Sequence, residues 1–442
     1  AAVNPRINAI VVPRFDEARA EAKRATEVIV QKRGQVPPLF GVPFTAKEYI
    51  GVAGLPNTGG MAPYRKRRSA TDATVIRRLK AAGGILVGLT NGPEGGLWME
   101  AENVIYGRTN NPWNLSRTPG GSSGGEGAIV ASGGVPFGIG SDIGGSVRIP
   151  AALSGAVAHK STARRIPTTG HFPNGEYAKA YLCVGPLCRR TEDLPLLHRI
   201  LAGPDGFDEM TEAATLGEVS SVDPRDLVVY RTVQEPAILS RSVRDALDRC
   251  EAALVARGAR SERLDLPEVA DGTVLWGATL AEVSEGESYS ELLGGGESVQ
   301  IPRELMRWAL RRSQHTGPGL IVLAAEAIMA KFQGKRGEVA AKLERARSAL
   351  FAALGPNAIL LHPAYPTTAP YHYEALLRPF ASGCTSFLSI CQVPATVVPV
   401  GFDDGGLPIA VQVAAGLDQD HLCMAAAGWL EADFGGWVRA PG

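Results

Sequence analysis

A stretch rich in glycine and serine runs from Pro119 to Pro150, and it limits what this chain can fold into more than any other feature. A flexible linker of that composition would be polar throughout. Here the small residues alternate with Ile129, Val130, Val135, Phe137, Ile139, Ile143 and Val147. So many apolar side chains belong in a core, and the glycines mark places where backbone must approach something closely. Two serine-bearing runs lie inside the stretch. Gly120-Gly121-Ser122-Ser123-Gly124-Gly125 offers serines on a backbone free to adopt unusual dihedrals. Ser141-Asp142-Ile143-Gly144-Gly145-Ser146 offers another serine after two glycines, so successive N–H groups can point at one spot. Such a nest stabilises an oxyanion during acyl transfer. Upstream, Gly41-Val42-Pro43-Phe44-Thr45-Ala46-Lys47 ends an apolar run on a lysine. Desolvation at that end would lower the amine's pKa and make a neutral base accessible.

Two other readings of the glycines fail on context. Gly120-x-Ser122-x-Gly124 fits a nucleophile elbow, which needs a strand directly before the serine; the turn-forming Asn110-Asn111-Pro112-Trp113-Asn114 stands there instead. The glycines at 138, 140, 144 and 145 miss the dinucleotide fingerprint because position 143 is Ile.

Elsewhere the pattern predicts an α/β protein. Residues 14–33 read as a charged helix and Leu39 to Ala46 as a buried strand. Thr71 to Ala82 reads as an amphipathic helix with Val75, Ile76 and Leu79 on one face, followed by a strand at Ile85 to Leu89. That strand–helix–strand alternation belongs to α/β architectures. From Val222 to Leu354 the pattern is mainly helical, including Arg336 to Leu354. Val393–Val400 and Val411–Val413 form a returning strand pair around the turn at Asp403-Asp404-Gly405-Gly406.

Composition narrows the partners. Lys+Arg and Asp+Glu both total 45, so no basic excess marks a nucleic-acid surface. There is no uninterrupted apolar run of membrane-spanning length and no signal-peptide pattern, which predicts a soluble, cytoplasmic protein. The chain begins with Ala rather than Met, leaving an upstream targeting segment open. Six scattered cysteines are too few for a disulfide framework and are read as reduced thiols.

Taken together, the three motif runs resemble the amidase signature family. Its catalytic triad comprises a lysine, a serine in a Gly-Gly-Ser-Ser-Gly-Gly run and a serine in an Asp-x-Gly-Gly-Ser run. Lys47 stands 75 residues before Ser122, and Ser122 stands 24 before Ser146, spacings typical of that family. The resemblance covers nearly the whole chain. It starts at Asn4-Pro5-Arg6-Ile7-Asn8-Ala9 and takes in Asn91, Tyr106-Gly107-Arg108-Thr109-Asn110-Asn111-Pro112 and Gly185-Pro186. It continues through Pro394-Ala395 to Gly406-Leu407-Pro408-Ile409-Ala410-Val411-Gln412. Gly124-Gly125-Glu126-Gly127-Ala128, Asp142-Ile143-Gly144-Gly145 and Phe434-Gly435-Gly436-Trp437-Val438 look most like the fatty-acid amide hydrolase branch.

The resemblance implies one catalytic unit over residues 1–442, an α/β fold with a large mixed sheet flanked by helices. Its core would span about 35–200 and 355–425, with a variable helical region on the substrate side at about 222–354. It also implies that Lys47 is the base, that Ser122, after a cis peptide bond, relays the proton, and that Ser146 is the nucleophile. The N–H groups of Ile143, Gly144, Gly145 and Ser146 would hold the oxyanion. Ser123 would support the loop, Asp142 and Arg148 would brace the glycine turn, and Glu48 would face away. No metal or cofactor is implied, and no histidine of the seven has a required role. Where fatty-acid amide hydrolases place bulky residues after Thr90-Asn91, this chain has Gly95 and Gly96, implying a wider pocket mouth. Leu97, Trp98 and Met99, after the glycine pair, and Leu305, Met306 and Trp308, in the helical stretch, read either as an apolar pocket lining or as ordinary core residues.

The expected substrate is a small apolar amide, aryl acylamide or carbamate (a urethanase activity in the last case), acted on by a monomer or homodimer. Two rivals follow from the same resemblance. The glutaminase subunit of a tRNA-dependent amidotransferase usually carries Thr where this chain has Ile143. An inactive docking module would lack a triad residue, and here all three are present.

Overall fold

Short apolar runs between turn-formers become most of the strands of this protein, whose computed structural model describes residues 2–32, 36–213, 215–236, 238–284, 287–329 and 336–441. In chain order they begin with β1 (Ile10–Pro13), β2 (Pro43–Lys47), β3 (Ile85–Thr90), β4 (Glu102–Asn103), β5 (Gly107–Arg108), β6 (Phe137–Asp142) and β7 (Val157–Lys160). They end with β8 (Cys183–Cys188), β9 (Val228–Thr232), β10 (Arg260–Leu264), β11 (Ala358–Pro363), β12 (Ala395–Phe402) and β13 (Pro408–Ala415). Among the described residues, β4 and β5 form a separate ribbon. The other eleven strands make one mixed sheet, ordered β1-β3-β2-β6-β8-β7-β12-β13-β11-β9-β10. This is the α/β fold with a large mixed sheet that the sequence predicts.

Strands β6, β8 and β11 are buried at every position, which explains their lack of polar alternation. Helices cover both faces. On one, Phe44, Ile76, Leu79, Leu194, Leu197 and Met424 share a core, with Phe44 and Phe137 stacked at 5.6 Å between ring centroids. On the other, Ile129, Val130, Ala151, Ala152 and Ala410 pack together under the helices Gly124–Ala131 and Arg148–Ser154. Each large aliphatic side chain buried in this way contributes about 1.5–3 kcal/mol. All six cysteines are buried and free. No described helix is long and apolar enough to cross a membrane.

The charged N-terminal helix spans Phe15–Lys32, the amphipathic one Thr74–Ala81, and the returning pair is β12 with β13. The region read as mainly helical differs in one respect. It contains the helices Arg241–Ala256, Gly272–Val283, Ile301–Ala309, Gly317–Met329 and Arg336–Ala353, but also β9 and β10, which extend the sheet. Strand β10 is the last in the sheet, and four of its five residues are exposed. An edge strand of this kind carries charge rather than an apolar run, so hydrophobic patterning does not reveal it.

What places the site is the parallel pairing of β2 with β6, in the register Phe44↔Phe137, Thr45↔Gly138, Ala46↔Ile139. Their carboxyl ends lie side by side, and the crevice beyond such ends is where α/β sheets bind ligands. Lys47 closes one strand, while Ser141 and Asp142 close the other.

Candidate active site

Helix Gly124–Ala131 is buried along its whole length and starts directly after Ser122 and Ser123. It can lie close against β6 because Gly138 and Gly140 present no side chain. A Cβ on Gly140 would come within 2.6 Å of Ser123 Oγ, and one on Gly138 would collide with the Glu126 carboxylate. This approach carries Ser122 to Lys47, with Nζ and Oγ 2.6 Å apart. The Gly121–Ser122 peptide bond is cis. Ser123 exchanges hydrogen bonds with the backbone of Ser141, each 3.3 Å, and its N–H donates to the Ser146 carbonyl at 3.0 Å.

Burial is the largest influence on Lys47 and lowers its pKa to about 7, against the opposing pull of the Asp142 and Glu126 charges. Glu126 accepts hydrogen bonds from Thr45 and Thr90, but burial still pushes it up to about 8. At neutral pH a substantial fraction of Lys47 is therefore unprotonated, able to accept the Ser122 proton at hydrogen-bond range. A second contact fixes the amine, since Nζ also donates to Ser141 Oγ at 3.3 Å. His171 completes the chain: Nδ1–H donates to the Pro173 carbonyl at 2.8 Å, so Nε2 accepts from the Ser141 hydroxyl at 2.9 Å. Burial and the neighbouring lysine push His171 down to about 3, keeping it neutral.

Ser146 is half-buried and lines the same cavity as Lys47 and Ser122; among the described residues its hydroxyl has no hydrogen-bond partner. The turn before it is held from beneath. Burial alone would raise Asp142, but Arg148 and the surrounding donors outweigh it and hold its carboxyl at about 2. Arg148 Nε and Nη2 donate to the two carboxylate oxygens at 3.0 and 3.1 Å, and both side chains are fully buried. Arg148 also donates to Gln412 at 3.1 Å and Ser389 at 2.6 Å.

The structure corrects one sequence expectation. The Gly145 N–H is not available to an oxyanion, because it donates to Asp142 Oδ1 at 2.7 Å. The N–H groups of Ile143, Gly144 and Ser146 have no protein acceptor among the described residues. Two contacts that sequence reading misses set this turn: Trp276 Nε1 donates to the Ile143 carbonyl and Thr385 Oγ1 to the Gly144 carbonyl, both at 2.8 Å. No local signal connects those positions to the motif. Ser141 is readable as part of its run, whereas no sequence pattern sets His171 apart from the other six histidines.

The cavity over these groups measures about 1220 Å³, and Gly95, Gly96, Leu97, Trp98 and Met99 are among its lining residues. A Cβ on Gly95 would sit 3.2 Å from Leu293, and one on Gly96 3.2 Å from the Tyr49 ring and 3.7 Å from Ser122 Oγ. Bulk at Gly96 would crowd Ser122, and bulk at Gly95 would press on Leu293. Trp276, Leu280, Val322 and Leu323 add lining from the helical region. Leu305, Met306 and Trp308 do not line it; they are 48–65% exposed, on a helix whose buried residue is Glu304. Glu48 faces away, accepting from the Thr58 and Gly59 N–H groups and Tyr106.

A buried lysine–serine pair beside a backbone nest suits hydrolytic chemistry, and comparison shows the family. The amidase family profile matches residues 1–424, and the chain belongs to the amidase signature family of hydrolases. Within it, the chain is 36% identical to human fatty-acid amide hydrolase 2 over 454 residues, covering 99% of this chain and 84% of the relative. It is 30% identical to a glutamyl-tRNA(Gln) amidotransferase subunit from Roseiflexus sp. (strain RS-1), covering 96% and 88%. Among solved structures it resembles 6-aminohexanoate cyclic dimer hydrolase complexed with substrate, with TM-score 0.79, 26% identity, and coverage of 98% and 91%.

Proposed function

We propose that this protein hydrolyses the C–N bond of small apolar amides, aryl acylamides or carbamates through an acyl-enzyme on Ser146. The observation that carries the reading is the 2.6 Å contact between Lys47 Nζ and Ser122 Oγ, in the cavity that Ser146 also lines. Neutral Lys47 takes the proton of Ser122, which takes that of Ser146 as its Oγ attacks the carbonyl carbon. Developing charge on the carbonyl oxygen meets the N–H groups of Ile143, Gly144 and Ser146; each such donor is worth about 3 kcal/mol. The relay runs back to protonate the leaving nitrogen, and water then releases the acyl group. Asp142 and Arg148 keep the turn in place, and Ser123 ties it to β6. The largely apolar lining of the cavity supports an uncharged acyl or aryl group.

The test is aniline release from a matched acyl anilide and aryl carbamate, by wild type and by Ser146→Ala. The reading requires a loss of about 10³-fold or more in the variant. The ratio between the two substrates separates amidase from urethanase. Ammonia release from glutamine, with no anilide or carbamate turnover, would replace this reading with that of an amidotransferase component.

A further inference from the structure

Away from the catalytic cavity, three buried side chains from three elements meet on the opposite side of β7. His159 comes from β7, two places from β6 in the sheet, His198 from the helix Leu194–Leu201, and Asp420 from the start of the helix Asp420–Phe434. One donor atom from each lies within 4.8 Å of the other two. The proposed hydrolysis uses none of them.

The hydrogen bonds around the cluster orient two of its members and leave the third unmatched. His159 Nδ1 meets Thr396 Oγ1 at 2.9 Å, and its Nε2 points at Asp420 Oδ1, 3.0 Å away. Asp420 is fixed in turn by Thr162, whose N–H donates to Oδ1 at 2.9 Å and whose hydroxyl donates to Oδ2 at 2.6 Å. His198 is 3% exposed, and neither of its ring nitrogens has a hydrogen-bond partner. Its Nε2 nevertheless stands 3.6 Å from Asp420 Oδ1. Buried polar groups are normally satisfied, so an imidazole with two orphaned nitrogens aimed at a carboxylate calls for a missing partner.

We propose that His159, His198 and Asp420 bind a zinc-like divalent transition-metal ion. Zinc–nitrogen distances of about 2.0–2.1 Å and zinc–oxygen distances of about 2.0–2.2 Å place tetrahedral ligands about 3.3 Å apart. The separations of 3.0 and 3.6 Å straddle that value. Two imidazoles and one carboxylate suit zinc, cobalt or nickel rather than magnesium or calcium, which take oxygen ligands. Thr396 and Thr162 are the outer partners that hold such ligands in orientation. Water fills the fourth position. Binding takes the His159 tautomer whose proton sits on Nδ1 and donates to Thr396 Oγ1, leaving the Nε2 lone pair for the ion, and gives His198 Nε2 its partner. The ion ties β7 to two helices.

The test uses the full chain stripped with a chelator and titrated with Zn²⁺ by calorimetry, with Co²⁺ absorption as a second probe. Wild type is expected to bind one equivalent, show the visible bands of tetrahedral cobalt, and gain about 3 °C in Tm at a hundredfold excess over Kd. His198→Phe keeps the core filled; it is expected to lose the tight equivalent and the Tm gain while hydrolysing substrate at the wild-type rate. Asp420→Asn is expected to lose the same equivalent. If Asp420→Asn does not fold, His198→Phe decides alone. No binding by wild type, or equal binding by His198→Phe, overturns the proposal and leaves an interior His–Asp hydrogen bond only.

Discussion

The glycine-rich segment around residues 120–148 and the helical segment around residues 272–329 line one cavity by different means. In the first, backbone does most of the work: a short buried helix, free N–H groups at a turn, and the Asp142–Arg148 pair beneath it. In the second, side chains do it, with Trp276, Leu280, Val322 and Leu323 facing inward and Leu305, Met306 and Trp308 facing out. Trp276 joins the two by reaching the Ile143 carbonyl. Glu94, at the edge of the Gly95–Gly96 turn, ties the cavity mouth to the helical segment: it accepts from the Thr316 N–H at 2.8 Å and pairs with His315. The contrast separates chemistry from selectivity: the first segment tolerates almost no added atom, while the second hydrogen-bonds to the glycine turn through Trp276.

The largest effect belongs beneath the glycine turn. Arg148→Met leaves Asp142 buried without its cation, and breaking such a pair costs about 3–5 kcal/mol. Denaturant unfolding should show that loss, with activity falling alongside; a near-wild-type midpoint would mean the turn does not depend on this pair. The same pair sets an acid limit. Asp142 sits at about 2 in the folded chain, below its unfolded value of about 3.9, so its contribution is present above that value and is lost as pH falls towards 2.

Next comes the pH profile of kcat/KM. With Lys47 at about 7 and needed unprotonated, activity should fall about tenfold per pH unit below that point and level off above it. A profile flat from pH 5 to 8 would separate the lysine from the rate. Smaller still is Trp276→Phe, which keeps the ring but removes the hydrogen bond to Ile143. A loss of about 1 kcal/mol would appear as about a fivefold drop in kcat. An unchanged kcat with a raised KM would assign Trp276 to the pocket wall alone. The smallest effect is expected at Leu305→Ser and Trp308→Ser. Both side chains are about half-exposed and off the cavity, so stability should stay within about 0.5 kcal/mol and kcat/KM should hold. A change in acyl preference would bring that helix into the substrate path.

The two segments also differ in how far sequence reveals them. Lys47, Ser122 and Ser146 sit in contiguous runs whose spacing carries the family pattern, and the parallel pairing of β2 with β6 then brings their ends together. Gly145 is misread from sequence because sequence shows that an N–H exists but not which acceptor is near, and Asp142 folds back onto it. His171 reaches Ser141 across 30 residues, and Trp276 reaches Ile143 across 133, with no shared element to signal either contact. Leu305, Met306 and Trp308 read as pocket lining or core by composition, yet their helix buries Glu304, whose carboxylate takes hydrogen bonds from Arg307 and Ser313. Strand β10 stays hidden because an exposed edge carries polar residues.

The central claim is that Ser146, and neither Ser122 nor Ser123, forms the covalent acyl-enzyme. Reacting the protein with an O-aryl carbamate, whose aryloxide leaves and whose carbamoyl group is only slowly hydrolysed from serine, and mapping the adduct by peptide mass spectrometry tests it directly. The account predicts one carbamoyl group per chain on Ser146, lost in Ser146→Ala and formed more slowly in Lys47→Ala. A modified Ser122 or Ser123, or turnover without any adduct in a rapid quench, would contradict it.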